Sequence, residues 1–154
     1  MILKSFLCLF ATLSFVNQWA SASSVVAYTG DGSEKLFIET ASGDVAFIKI
    51  EASASKWSGK VIKTKKETAS AGDRYSFEYF LELSSGKQKR TYTPVVADGE
   101  TLFQGSSVKK MKLYFPGGPK EGVDMKQDFA LSKESQKINL ASEYKKAPYS
   151  PDVD

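Results

Sequence analysis

Period-two alternation of apolar and polar positions runs through most of the chain. It is clearest in Arg74–Leu83, where Tyr75, Phe77, Tyr79, Leu81 and Leu83 share one parity and Ser76, Glu78, Phe80 and Glu82 share the other. Successive side chains of a strand point to opposite faces, so this stretch predicts a long strand with one apolar and one mostly wet face. Ser24–Thr29, Lys35–Thr40, Val45–Glu51 and Lys60–Lys66 predict strands before it. Gln88–Val96, Glu100–Gln104 and Val108–Phe115 predict strands after it. Between them lie clusters rich in Gly, Asp and Ser, such as Gly30-Asp31-Gly32-Ser33 and Ser84-Ser85-Gly86-Lys87, which favour tight turns. Pro94 lacks an N–H and predicts an edge, a bulge or a strand end.

The pattern weakens towards the end. Pro116–Gly122 is the densest cluster of helix and strand breakers. Val123–Leu131 predicts one more short strand around Phe129–Leu131. In Ser132–Lys146 a strand alternation at Ile138 and Leu140 competes with a helical stripe through Leu131, Ile138, Ala141 and Tyr144; the reading leans to a strand near Ile138–Leu140. Ala147–Asp154, with Pro148 and Pro151, reads as a flexible C-terminal tail. The sum is an all-β domain over 23–146: a single antiparallel meander of about eight strands, closing as a small β-barrel of lipocalin or calycin size, or stacking as a β-sandwich. Lipocalin carriers have an early Gly-x-Trp signature. Here Trp57 lies well into the chain, and no resemblance to that family is drawn.

The start of the chain follows a different logic. Lys4, an apolar run over Ser5–Val16 and the small residues Ala20-Ser21-Ala22 predict a secretory signal peptide over 1–22. That implies a secreted or periplasmic protein. No later stretch is apolar and long enough to cross a membrane as a helix. Cleavage removes Lys4 and Cys8, which lowers the formal net charge of +3 by one. The remaining chain is disulfide-free, so its core alone must hold it. A charge this small gives no reason to expect a nucleic-acid partner.

Candidate chemistry is limited by what is missing. The sequence holds no histidine and, after cleavage, no cysteine. That removes the usual general base, thiol catalysis and the commonest metal ligands, so no enzyme activity, cofactor or metal is expected. Lysines gather at Lys60, Lys63, Lys65 and Lys66, at Lys87 and Lys89 beside Arg90, and at Lys109, Lys110 and Lys112. Such rows either attract an anionic partner or keep strand edges from pairing with other chains. Phe47, Phe80 and Tyr114 sit on wet-face parities and point to a contact patch or to local cover. Trp57 reads either as a cap on the core or as an exposed anchor.

These observations lead to an expected function: a non-enzymatic binding module for a protein or cell-envelope component. Its candidate ligand-binding residues are Trp57, Lys110, Lys112, Tyr114, Gly117 and Gly118, the last two from the Pro116–Gly122 loop. The alternative is a barrel carrier of a small apolar ligand, which requires the inward Tyr75, Phe77, Tyr79, Met111, Leu113 and Phe115 to enclose space.

Overall fold

A computed structural model describes residues 24–154; the expected signal peptide and its cleavage point lie outside these residues. Eight strands follow the chain order. They are β1 (Val25–Gly30), β2 (Lys35–Thr40), β3 (Val45–Glu51), β4 (Val61–Ala69), β5 (Gly72–Leu83), β6 (Gly86–Phe103), β7 (Ser106–Leu113) and β8 (Val123–Gln127). Each pairs antiparallel with the next, and β8 pairs back to β1 through Tyr28↔Gln127 and Gly30↔Met125. The meander is therefore a closed barrel, and the sandwich alternative falls away. No helix among the described residues is long and apolar enough to cross a membrane.

The inward parity of the strands fills the barrel. Leu36 and Ile38 of β2, Ile48 and Ile50 of β3, Ile62 of β4, Tyr75 and Phe77 of β5, Val95 of β6, Met111 and Leu113 of β7 and Met125 of β8 form one buried cluster with Trp57 and Phe115. A second apolar layer lies outside the wall. Val25, Ala27, Phe37, Phe47 and Val61 pack under Leu140, with Leu131, Ile138, Ala141 and Tyr144 against them. The last four come from the segment after β8, which forms α1 (Phe129–Glu134), a 3-10 turn at Ser135–Lys137 and α2 (Leu140–Lys146).

This corrects two expectations. The strand foreseen around Phe129–Leu131 is a helix, and the last strand comes earlier, at β8. The strand foreseen near Ile138–Leu140 is the junction leading into α2. The physical reason is capping. Asp128 Oδ1 accepts from the Leu131 amide at 2.8 Å and Asn139 Oδ1 from the Ser142 amide at 2.8 Å, so each helix start has a side-chain acceptor. The helices also finish the sheet. β8 covers β1 only from Tyr28 onwards. At the uncovered end, the Ala27 amide donates to Ser132 Oγ at 2.9 Å and Gln136 Nε2 donates to the Val25 carbonyl at 3.1 Å. An edge that would otherwise invite another strand is thus closed by α1 and the turn after it.

Two neighbouring irregularities shape β6. Between Tyr75↔Val95 and Phe77↔Tyr92 the register shifts, which sets Thr93 and Pro94 opposite Ser76. Pro94 thus sits at a bulge, where no ladder N–H is required of it. Asp98-Gly99, between the strands foreseen at Gln88–Val96 and Glu100–Gln104, is a second bulge, with Gly99 at φ 99°. One continuous strand therefore replaces the two foreseen. Its first half pairs with β5 and its second half with β7.

Candidate functional site

The structure places most of the sequence-derived candidates together. Lys110, Lys112 and Tyr114 share the outward parity of β7 and its continuation, and the Tyr114 amide donates to the Pro94 carbonyl at 2.7 Å. Gly122 has φ +77°, and a Cβ there would sit 2.7 Å from Tyr114 Cε1, so glycine lets the loop close onto the ring. Gly118 lies equally close to the ring of Phe115, and Gly117 faces the loop that carries Trp57, near the Ala54 carbonyl. The Pro116–Gly122 loop and the 52–60 loop thus close the same end of the barrel.

One ion pair lies within this face. Lys112 Nζ lies 2.6 Å from Asp124 Oδ1 on β8, its register partner. The hydrogen bond from Lys112 holds the Asp124 carboxyl below the usual carboxylate range, and the same bond raises the Lys112 ammonium. Lys110 faces Lys126 across the same ladder. Lysines of the other rows also pair: Lys66 with Asp73 at 3.4 Å, Lys87 with Glu82 at 3.3 Å and Lys89 with Glu78 at 2.7 Å. Cross-strand pairing of this kind favours the edge-protecting reading of the lysines over an anion-binding patch.

Trp57 departs from the rest of the candidate set. It is 0% exposed, which removes it as a surface anchor. Its ring meets Tyr92 and Phe77 edge-on, with centroids 5.3 and 5.7 Å away. Its Nε1–H donates to the Asp152 carbonyl at 2.8 Å. The closing segment, expected to be flexible, is therefore held against the barrel. Of the wet-face aromatics, Phe47 is covered by Tyr144 of α2 at 5.5 Å, whereas Phe80 is 67% exposed.

The sequence did not reveal two projecting ribbons. β5 and β6 continue to pair from Phe77↔Tyr92 to Leu83↔Gly86, beyond the last β4 partner at Lys65↔Ser76. At the other end of β6, the ladder with β7 continues from Gly99↔Lys110 to Phe103↔Ser106. Because β6 joins both hairpins, the ribbons leave from opposite ends of the barrel. Phe80 and Leu83 are exposed on the first, and Leu102 (79%) and Phe103 (64%) on the second. The available signal was strand length: Arg74–Leu83 alternates for longer than a small barrel wall needs.

Where β4 and β5 part, an open groove of about 990 Å³ forms between Lys63–Lys65 and Ser76–Phe80, bordered by Tyr144 and by Tyr149–Asp154. Comparison with known protein families, with characterised proteins and with solved structures gives no match.

Proposed function

We propose that this chain is an exported, non-enzymatic binding module that recognises a protein or cell-envelope component through surfaces outside its barrel. The observation that carries this reading is the contrast between inside and outside. The interior positions that a carrier would need as lining are occupied by mutually packed side chains, whereas large apolar side chains stand in solvent on the two ribbons. Monomeric proteins seldom leave such groups exposed on projecting elements without a contact to make. The lack of histidine and cysteine after the signal sequence supports the non-enzymatic part of the reading.

The test is native mass spectrometry of the protein from its own exported fraction, followed by capture with folded variants. A retained protein or envelope component is expected, and Phe80→Ser with Leu83→Ser, or Leu102→Ser with Phe103→Ser, should abolish its capture. Lys112→Glu with Tyr114→Ala tests the β7 face in the same assay. A stoichiometric small apolar molecule released on unfolding would overturn the reading in favour of the carrier. Capture that survives all three pairs of substitutions would remove these surfaces.

A further inference from the structure

The groove between β4 and β5 is partly occupied by the chain itself. Residues 148–154 carry no strand pairing, and burial alternates along them: Tyr149, Pro151 and Val153 are half-buried, while Ser150, Asp152 and Asp154 are exposed. Alternation of this kind is how an extended peptide presents every second side chain to a surface. Tyr149 and Val153 pack against the interior cluster, Lys60 Nζ stands 5.8 Å from the centre of the Tyr149 ring, and the Asp152 carbonyl takes the Trp57 indole N–H. Meanwhile β5 has no β4 partner beyond Ser76, and the groove wall is of mixed charge: Lys63 and Lys65 stand among Asp44, Glu67 and Glu78, with Lys65 Nζ 3.5 Å from Glu67 Oε1.

We propose that this groove is a binding site for an extended, proline-containing segment of a partner protein, and that residues 147–154 are its intramolecular stand-in. This rests on the reading of the chain as a binding module and gives that module a specific site. The chemistry of the partner follows from the present occupant. Pro148 and Pro151 favour an extended backbone, and Tyr149 and Val153 mark the apolar positions. The stand-in seats side chains but makes no ladder with β5. A partner segment keeps those seats and adds main-chain hydrogen bonds along Phe77–Leu83, which lets it compete with an occupant of high local concentration.

The reporter is the Trp57 indole N–H resonance, assigned by its loss in Trp57→Phe. In the full chain, Tyr149→Ser with Val153→Asp should release the segment and move this resonance; Val153→Asp alone, a milder change, should move it part of the way. The probe is a synthetic peptide with the sequence of residues 147–154. It should bind the released chain saturably at one to one and return the resonance to its wild-type position. Wild-type protein should take it up at least about ten-fold more weakly, because its groove is already filled.

An unmoved resonance in both variants, or a released chain that ignores the peptide or binds a scrambled one equally well, would overturn the proposal. So would a concentration-dependent wild-type dimer that dissociates on release, since it would assign the groove to a second copy of the chain. If ribbon substitutions abolish partner capture while release of the segment leaves it unchanged, the groove assignment fails and the binding-module reading stands.

Discussion

Trp57 is the largest of the fully buried side chains among the described residues, and its indole also ties the closing segment to the barrel. The two roles separate by substitution. Trp57→Phe keeps most of the ring packing against Phe77 and Tyr92 and loses the hydrogen bond to Asp152. Its expected cost is about 1 kcal/mol in urea denaturation, with faster amide exchange in the closing segment. Trp57→Ala also empties the interior and should cost about 3–5 kcal/mol. Equal losses in the two variants would mean that the indole N–H contributes most of the stability and its packing little. The sequence left the direction of Trp57 open because it precedes Gly59, and Gly59 adopts φ +75°; no alternation survives through such a loop. The Lys112–Asp124 pair was equally hidden, since it exists only once β7 and β8 take their register. Glu39 is a third case. It is 1% exposed on an otherwise apolar outer face, and its carboxylate receives the Leu140 amide at 2.5 Å, a contact that joins β2 to the start of α2 and has no local signature.

At the scale of elements, the early hairpins were legible almost to the residue, because short apolar runs stand between turns rich in Gly, Asp and Ser. Lys35–Thr40, buried on both faces from Leu36 to Glu39, and Val45–Glu51 have the bounds that these runs predict. The end of the chain misled for a physical reason. Ile138 and Leu140 both turn inwards to the outer layer, one from the cap of a 3-10 turn and one from the first residue of a helix. Two positions cannot distinguish that from a strand. The N-cap residues Asp128 and Asn139 were the signal that favoured helices. The outer layer these helices form should matter to stability. Leu140 is fully buried against the barrel wall, so Leu140→Ala is expected to cost about 2–5 kcal/mol by chemical denaturation. A cost below about 0.5 kcal/mol would show that the helices rest on the wall without adding to its stability. The ribbons are the opposite case. Phe80 already broke the alternation in the sequence, and its exposure on a projecting hairpin is the structural counterpart of that break.

At the scale of the whole molecule, the interior behaves as a packed core whose polar groups come from opposite walls. Tyr28 of β1 and Tyr75 of β5 both lie inside the barrel, and the negative charge of Asp73 reaches both. Burial, reinforced by Asp73, pushes the Tyr28 phenol from its ordinary 10.0 up to about 12. Burial raises Tyr75 as well, against a hydrogen bond with Thr40 that works the other way. Below pH 10 both phenols are protonated whether the chain is folded or unfolded, and they add no pH dependence. Above pH 10 the unfolded chain loses these protons while the folded barrel keeps them, so stability falls as pH rises through 10 towards 12. For Tyr28 alone the shift corresponds to a loss on the order of 3 kcal/mol across that window. Tyr28→Phe removes this contribution, so its urea midpoint should fall less steeply than that of the wild type over the same range. Lysine titration affects both proteins alike and cancels in the comparison. The wild-type transition should be global, with tyrosine ionisation in the ultraviolet coinciding with loss of the β-sheet signal, because the phenol cannot meet water until the walls separate. Parallel slopes, with phenolate appearing while the sheet signal persists, would show that water reaches Tyr28 in the folded state. The interior would then have the accessible space that a carrier needs.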